Sequence, residues 1–132
     1  MVLAFTQALR AARVNAISTY FGTGTPPEAW LRIYAGTRPA SGGTVTTLLA
    51  ELRCSTVFAA TSSTATITLN AITSASSANA TGTATWYRLF LGDGSTWVID
   101  GSIPADMSMN TTSITAGDAV AVSSFTITDG NA

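Results

Sequence analysis

The sequence predicts an all-β protein, mainly an antiparallel β-sandwich with a jelly roll as candidate topology, and one N-terminal α-helix. Three observations support this fold class. Short segments in which apolar and polar residues alternate recur after residue 29, and turn-forming residues separate them. A helical spacing of apolar residues occurs once, before residue 21. A parallel βαβ fold is not expected, because it needs helices between its strands and no later segment has a convincing helical pattern.

Residues 3–20 are predicted to form the helix. Its apolar positions follow the spacing i, i+4, i+7 and i+11, and they are Phe5, Leu9, Ala12 and Ala16. Two glycines and two prolines between residues 22 and 27 end the pattern. The sequence leaves two interpretations open, because this narrow stripe could pack on the chain's own domain or lie as an arm on a neighbouring subunit. We therefore divide the chain into an N-terminal helix or arm at 1–21, a linker at 22–29 and a β-sandwich domain at 30–132.

Seven or eight short strands are predicted after the linker. They lie at 30–35, 48–54, 64–69, 83–91, 96–100 and 119–128, with another around Met107 and Met109. Within the strand at 48–54, residues 48–52 could equally form a short helix. The Gly-rich turn at 92–95 predicts a hairpin between the strands on either side of it. Segment 70–82 lacks periodicity, which predicts an exposed loop.

The composition excludes most catalytic chemistry. The 132 residues include 23 threonines, 22 alanines and 14 serines, but no histidine, no lysine and a single cysteine. Ser-His-Asp and Cys-His catalysis both need an imidazole, and a zinc site needs several Cys or His ligands. A pair of carboxylates could still serve a glycosidase, and the Asp93 and Asp129 turns could in principle hold calcium, but turn formation is the preferred interpretation of both. We expect no enzyme activity, no cofactor and no metal.

The charge pattern indicates protein partners. The six cations are scattered arginines, and seven carboxylates bring the net charge to −1, so nucleic-acid binding is not expected. No apolar run approaches the length of a membrane span, and no secretion signal is recognised, so we expect synthesis in the host cytoplasm and no membrane contact. Because Cys54 stands alone, no intrachain disulfide is expected. A net charge near zero favours self-association, since little repulsion separates the copies.

Aromatic residues are concentrated in the predicted hairpin. Strand alternation places Trp86, Arg88 and Phe90 on one face and Tyr87, Leu89 and Leu91 on the other. One face must be core, and the other needs a second sheet or a neighbouring subunit to cover it. An aromatic platform for carbohydrate is the alternative. The candidate interface residues are Phe5, Leu9, Arg13, Arg38, Trp86, Arg88 and Trp97.

Four segments resemble small virion proteins of tailed bacteriophages. They are 31–40 (LRIYAGTRPA), 81–88 (TGTATWYR), 110–118 (NTTSITAGD) and 124–128 (SFTIT). Within that class, the short length and the single β domain are similar to capsid decoration, or cement, proteins. These motifs are compositional and turn-like, so the resemblance carries over no functional residue.

The resemblance implies a structural role in the virion. A decoration protein binds the outer face of the major capsid protein lattice and stabilises it, commonly as a dimer or trimer. We therefore expect a virion protein on the capsid surface that uses the helix, the loops at 36–47 and 70–82 and the C-terminal tail for contacts. The alternatives are a tail, neck or head-fibre component, and a carbohydrate-binding module for a bacterial surface.

Overall fold

The computed structural model describes residues 4–103 and 107–129. Residues outside these ranges include the first residue of the predicted helix and the end of the C-terminal tail. The elements, in chain order, are α1 (Gln7–Phe21), β1 (Trp30–Ala35), β2 (Thr47–Arg53), β3 (Thr66–Thr68), β4 (Gly82–Thr83), β5 (Trp86–Phe90), β6 (Trp97–Ser102), β7 (Met107–Met109), β8 (Ser113–Ile114) and β9 (Val122–Thr128). The protein is therefore mostly β with one N-terminal helix, as the sequence predicts.

The strands form three antiparallel sheets. The largest has the order β2-β1-β5-β6, a second has the order β3-β9-β7, and β4 pairs with β8. The predicted hairpin is confirmed as the β5–β6 pair. Segment 48–54 falls almost entirely in strand β2 and is not a helix. Every residue of β2 from Thr47 to Arg53 pairs with a residue of β1, except Leu49, which lies at a bulge. The short strands β4 and β8 carry too few residues to show a period in the sequence.

The alternating pattern gives β3 one buried face. In and beside β3, Ala65, Ile67 and Leu69 are buried as predicted, while Thr66 points away and its hydroxyl lies 2.9 Å from that of Thr128. Threonine suits this position because its β-branched side chain packs well on a pleated surface.

The two larger sheets contribute to one core. The Tyr87 ring of β5 meets the Phe125 ring of β9 edge to face, with centroids 5.0 Å apart. Leu31 and Ile33 of β1 lie in the same buried cluster as Ile67 of β3. The sandwich and jelly-roll topologies remain predictions.

The helix buries a different face from the one predicted. The buried residues are Ala11, Val14 and Phe21, whereas the predicted stripe faces outward, with Leu9 46% exposed. This prediction is wrong because both sides of the helix carry apolar residues. Val14 and Phe21 remove more apolar surface from water than the alanines of the stripe.

The helix packs on the chain's own domain. The Asn15 side chain donates to the Ser62 carbonyl and accepts from the Ser62 amide, both at 2.9 Å. The Ser18 hydroxyl makes the same kind of reciprocal pair with Ala59, at 3.0 and 3.2 Å. Thr6 caps the start of the helix and Gly22 its end. Helix and strands therefore share one core, and own-domain packing is the interpretation that the structure supports.

Segment 70–82 is not simply an exposed loop. Thr73 forms an isolated bridge with Arg53 at the edge of β2, and Ala75 forms one with Val120. Ala78 is buried, and the Asn79 amide donates to the Leu49 carbonyl at 2.7 Å. The sequence missed this because short irregular pairing leaves no period of two.

Cys54 is a buried core residue whose thiol is expected to resist modification. Burial raises its pKa to about 12, because the thiolate cannot be hydrated there. At pH 8 we expect the folded protein to react with iodoacetamide at least ~100-fold more slowly than the urea-unfolded protein, with Cys54→Ser as the unlabelled control. The neutral thiol adds stability that is complete below pH 9 and is lost as the pH rises toward 12. Equal labelling rates for folded and unfolded protein would contradict this.

Candidate functional site on the outer face of the large sheet

The two central strands of the large sheet repeat one pattern. Both read Trp-x-Arg-x-aromatic, with Trp30, Arg32 and Tyr34 in β1 and Trp86, Arg88 and Phe90 in β5. The strands are antiparallel, and their register places Arg32 directly opposite Arg88. Because side chains alternate across a strand, all six share the face turned away from the core. We call this surface, together with Glu51 and Arg53 of β2 and Trp97 and Asp100 of β6, the outer face.

A row of four charges crosses the outer face. Glu51, Arg32, Arg88 and Asp100 occupy paired positions on four neighbouring strands. Arg32 Nε donates to Glu51 at 3.0 Å. Arg88 donates from Nε and Nη2 to the two Asp100 carboxylate oxygens at 2.5 and 3.0 Å. A carboxylate thus neutralises each of the two adjacent guanidinium groups, Glu51 for Arg32 and Asp100 for Arg88. The two like charges can therefore face each other across the central strands.

The Arg88–Asp100 pair is almost fully buried. Its side chains are 5% and 1% exposed, whereas Arg32 and Glu51 are 22% and 32% exposed. A bidentate geometry is what a buried ion pair needs to offset the loss of hydration.

Guanidinium groups and rings stack in two layers on this face. In the first layer, Arg53 lies 4.0 Å from the centroid of Trp30, and Arg32 lies 5.8 Å from Trp30 and 4.5 Å from Phe90. Such contacts are worth about 0.5–2 kcal/mol each, depending on how far they are desolvated. They hold the long arginine side chains in fixed positions.

In the second layer, Arg88 lies between Trp97 and Trp86, at 5.6 and 5.3 Å from their ring centroids. Trp86 stacks in turn on Tyr34, with 4.3 Å between centroids. Burial raises the pKa of the Tyr34 phenol above its ordinary value, and the charges of Arg32 and Arg88 only partly oppose the rise. The stack therefore runs from the exposed Trp97 ring to the buried, uncharged Tyr34 phenol.

The loop that follows β1 borders the outer face. The Gly42 amide donates to Asp100 Oδ2 at 3.0 Å, and Trp86 Nε1 donates to the Thr46 hydroxyl at 2.9 Å. Gly42 has a φ of +74° and lies against Trp97, so that a Cβ there would come within 2.7 Å of the ring. Glycine is therefore required at this contact, and the loop and the sheet present one continuous surface.

Two predicted interface residues are buried. Neighbouring rings cover both side chains. The Thr46 hydroxyl also contacts Trp86, and the Asp100 carboxylate also contacts Arg88. We correct their assignment, because neither side chain can touch a partner directly. The uncovered face that the sequence predicts is covered largely by its own arginines and by the loop, and a neighbouring subunit is not needed for that.

The other predicted interface residues keep exposed surface. Trp97 is 42% exposed on the outer face, and Arg38 is exposed in the bordering loop. Leu9 lies on the solvent side of the helix. Arg13 is paired with Asp129 at 3.0 Å and stacks over Phe5 at 4.9 Å. Of the seven residues, the outer face and its loop bring together four, namely Arg38, Trp86, Arg88 and Trp97.

The sequence does not single out three charged residues of this site, namely Glu51, Arg53 and Asp100. The available signal was the repeated Trp-x-Arg-x-aromatic pattern, which predicts two strands with matching faces. Their pairing with each other depends on a contact between residues more than 50 positions apart, which local periodicity does not encode.

The six described carboxylates all contact polar groups of the chain itself. Beside Glu51 and Asp100 these contacts join Glu28 to Thr56, Asp93 to Thr96, Asp118 to the Thr115 amide and Asp129 to Arg13. Asp106 lies outside the described residues. A glycosidase instead needs two carboxylates that face a sugar across a cleft.

The Asp93 turn has the geometry of an ordinary turn cap. Its carboxylate accepts bonds from the amides of Ser95 and Thr96, both at 2.9 Å, and from the Thr96 hydroxyl. These bonds lower the pKa of Asp93 to about 2, the Thr96 hydroxyl having the largest effect. Over residues 4–103 and 107–129, no group of three or more Cys, Asp or Glu side chains could hold a metal ion.

A cavity of about 140 Å³ lies elsewhere, between residues 69–72 and 122–125. Its lining has no titratable side chain, and it is smaller than the roughly 300–1,000 Å³ of common ligand sites. No helix in the described part of the chain is long and apolar enough to cross a membrane.

The fold and this surface define a mainly antiparallel β-protein with one helix and a rigid aromatic and arginine face. No protein family model matches the chain, and neither the curated proteins nor the solved structures include a match.

Proposed function

We propose that this protein is a non-enzymatic virion structural protein that binds and stabilises the outer capsid lattice of a tailed bacteriophage, as a decoration protein. The observation that carries the proposal is the outer face, where an exposed tryptophan stands on side chains already fixed by stacking and ion pairing. A preorganised surface loses little side-chain entropy when a partner binds.

The resemblance to virion proteins supports the same conclusion. Two of the segments that carry it lie side by side, because 31–35 and 86–88 belong to the two central strands β1 and β5. Segment 110–118 contacts the residues just before β5, since the Ala84 amide donates to the Thr112 carbonyl at 2.8 Å. The fourth segment, 124–128, lies in β9 of the second sheet. The likeness therefore includes the central strands of the outer face but is not confined to them.

Trp97 is the natural anchor for the capsid contact. Tryptophan is enriched among the few residues that dominate binding energy, and here its ring projects from a rigid support. We expect Trp97→Ala to weaken binding to purified capsids at least ~10-fold in a co-sedimentation assay. Tyr20→Ala is the matched control, because Tyr20 is an aromatic of similar exposure, 48%, on the helix. It should bind like the wild type.

Two further results bear on the proposal. Capsids that lack the protein should lose their DNA at a lower temperature than complete ones. A failure to bind capsids, together with unchanged heat resistance, would contradict the role. A copy number on the order of hundreds per particle indicates decoration, whereas about a dozen indicates a tail, neck or head-fibre component.

A carbohydrate-binding role is less well supported. Trp30 is already stacked with Arg53 and Trp86 with Tyr34, so Trp97 is the one tryptophan of this face with substantial free ring surface. A flat sugar platform commonly needs more than one open ring. A glycan array with tryptophan fluorescence distinguishes the roles, because a blank array removes the carbohydrate alternative.

A further inference from the structure

The outer face carries one more cation than its carboxylates match. It holds three arginines and two carboxylates, and two of the arginines are paired, Arg32 with Glu51 and Arg88 with Asp100. Arg53 has no salt bridge to any described carboxylate. The face therefore has a net charge of +1, located at the end of β2 beside Trp30.

Arg53 is held in place by a ring and lacks an acceptor. Its guanidinium lies 4.0 Å from the Trp30 centroid, the shortest of the arginine–ring contacts in the described chain. Its Nη1 atom is buried and has no hydrogen-bond partner among the described residues, although Arg53 as a whole is partly exposed. A guanidinium offers five donors, and a buried donor without an acceptor destabilises the folded state.

We propose that Arg53, backed by Trp30, is the docking position for an acidic side chain, Asp or Glu, of a partner protein. A carboxylate there would give the third arginine of the face what the other two already have. It would neutralise the excess charge, and because Nη1 is buried it would accept from another nitrogen of the guanidinium group. The inference depends on the proposed function in one respect only, namely the identity of the protein that supplies the carboxylate.

The chemistry favours a carboxylate on a polypeptide. The planar fork of arginine matches a carboxylate in two parallel bonds, and it is less strongly hydrated than an ammonium group. Trp30 and Trp97 provide apolar surface in the same row of the sheet, which suits the flanking residues of a protein segment. A single Asp or Glu side chain would balance the single unpaired positive charge of the outer face, that of Arg53.

The direct test uses peptides and does not depend on capsids. Arginine side-chain Nε–H signals are followed by NMR while the blocked peptide acetyl-Leu-Glu-Leu-amide is added, with acetyl-Leu-Gln-Leu-amide as the neutral probe. We expect a saturable shift at Arg53 with the glutamate peptide and less than a tenth of it with the glutamine peptide. Arg53→Gln should abolish binding, and Arg38→Gln, which removes an exposed arginine of the neighbouring loop, should not.

Several outcomes would overturn the proposal. They are equal shifts with both peptides, tighter binding of inorganic phosphate than of the glutamate peptide, and equal loss in the Arg38→Gln variant. A wild-type dimer that Arg53→Gln dissociates in sedimentation velocity would also overturn it, because a second copy would then occupy the site. Circular dichroism and urea unfolding of Arg53→Gln check that the variant is folded, and Arg53→Lys should restore only part of the binding.

Capsid binding separates this proposal from the proposed function. If wild-type protein binds capsids and Arg53→Gln binds equally well, the docking role of Arg53 is wrong and the decoration role stands. If no variant binds capsids but Arg53 responds selectively to the glutamate peptide, the decoration role fails and the docking chemistry stands. When both hold, Arg53→Gln should weaken capsid binding ~10-fold or more and reduce its salt dependence.

Discussion

Asp100→Ala is expected to destabilise the protein by about 3–5 kcal/mol, because it leaves the Arg88 guanidinium buried without a counter-charge. The Asp100 side chain is 1% exposed, accepts from two Arg88 nitrogens, and also accepts from the Gly42 amide. The substitution therefore removes an ion pair and the anchor of the bordering loop together. Urea unfolding followed by tryptophan fluorescence measures the loss.

The same row of charges provides a matched control. Glu51→Ala breaks the Arg32–Glu51 pair, which also joins directly opposite residues of neighbouring strands, but through one bond and with side chains that are 22% and 32% exposed. Exposed pairs contribute only about 0–1 kcal/mol, so we expect a small effect. Arg88→Met combined with Asp100→Leu should recover much of the stability, since no buried charge remains. Equal losses for Asp100→Ala and Glu51→Ala would show that burial does not determine the energy of this row.

Phe21→Ala should detach the helix from the core at a cost of about 3–5 kcal/mol. Phe21 is fully buried at the last turn of the helix, and its ring stacks on Phe58 with 4.1 Å between centroids. Truncation removes this contact and leaves a cavity where the neighbouring atoms can collapse only in part. Thermal unfolding followed at 222 nm reports both stability and helix content.

Leu9→Ala is the control for that experiment. Leu9 lies on the same helix but is 46% exposed, so its truncation should cost less than about 0.5 kcal/mol. The two variants also test the orientation of the helix. A large loss for Leu9→Ala with a small loss for Phe21→Ala would mean that the helix buries the stripe that the sequence predicts.

Phe21 and Leu9 show that the sequence predicts a helix here but not which of its faces is buried. The Gly- and Pro-rich segment at 22–27 predicts the end of the helix from local residues, and the helix ends at Phe21, whereas its start lies at Gln7 and not at residue 3. The choice of buried face is different, because Leu9 on one side and Val14 on the other are both apolar. That choice depends on what the rest of the domain presents to the helix, and Phe58, in the segment between β2 and β3, presents a ring on which Phe21 stacks.

The candidate site divides in the same way. The alternation in β1 and β5 places Trp30 and Arg32 on one face, and Trp86 and Arg88 on one face, from local spacing alone. The sequence does not pair Arg32 with Glu51 or place Arg53 over Trp30, since these contacts follow from the order β2-β1-β5-β6. For the same reason Trp86 and Arg88 were predicted at a surface, although they lie beneath it.

The sequence by itself determined the fold class, most of the strand positions and the absence of imidazole and ammonium chemistry. Those properties are local or compositional: a period of two, turn residues, and the residue types present. Only the tertiary structure decided which apolar faces are buried, that Arg88 is paired in the interior, and that Arg53 has no partner among the described carboxylates. The physical reason is that burial and ion pairing depend on contacts between distant segments, whose energies the sequence pattern of either segment does not contain.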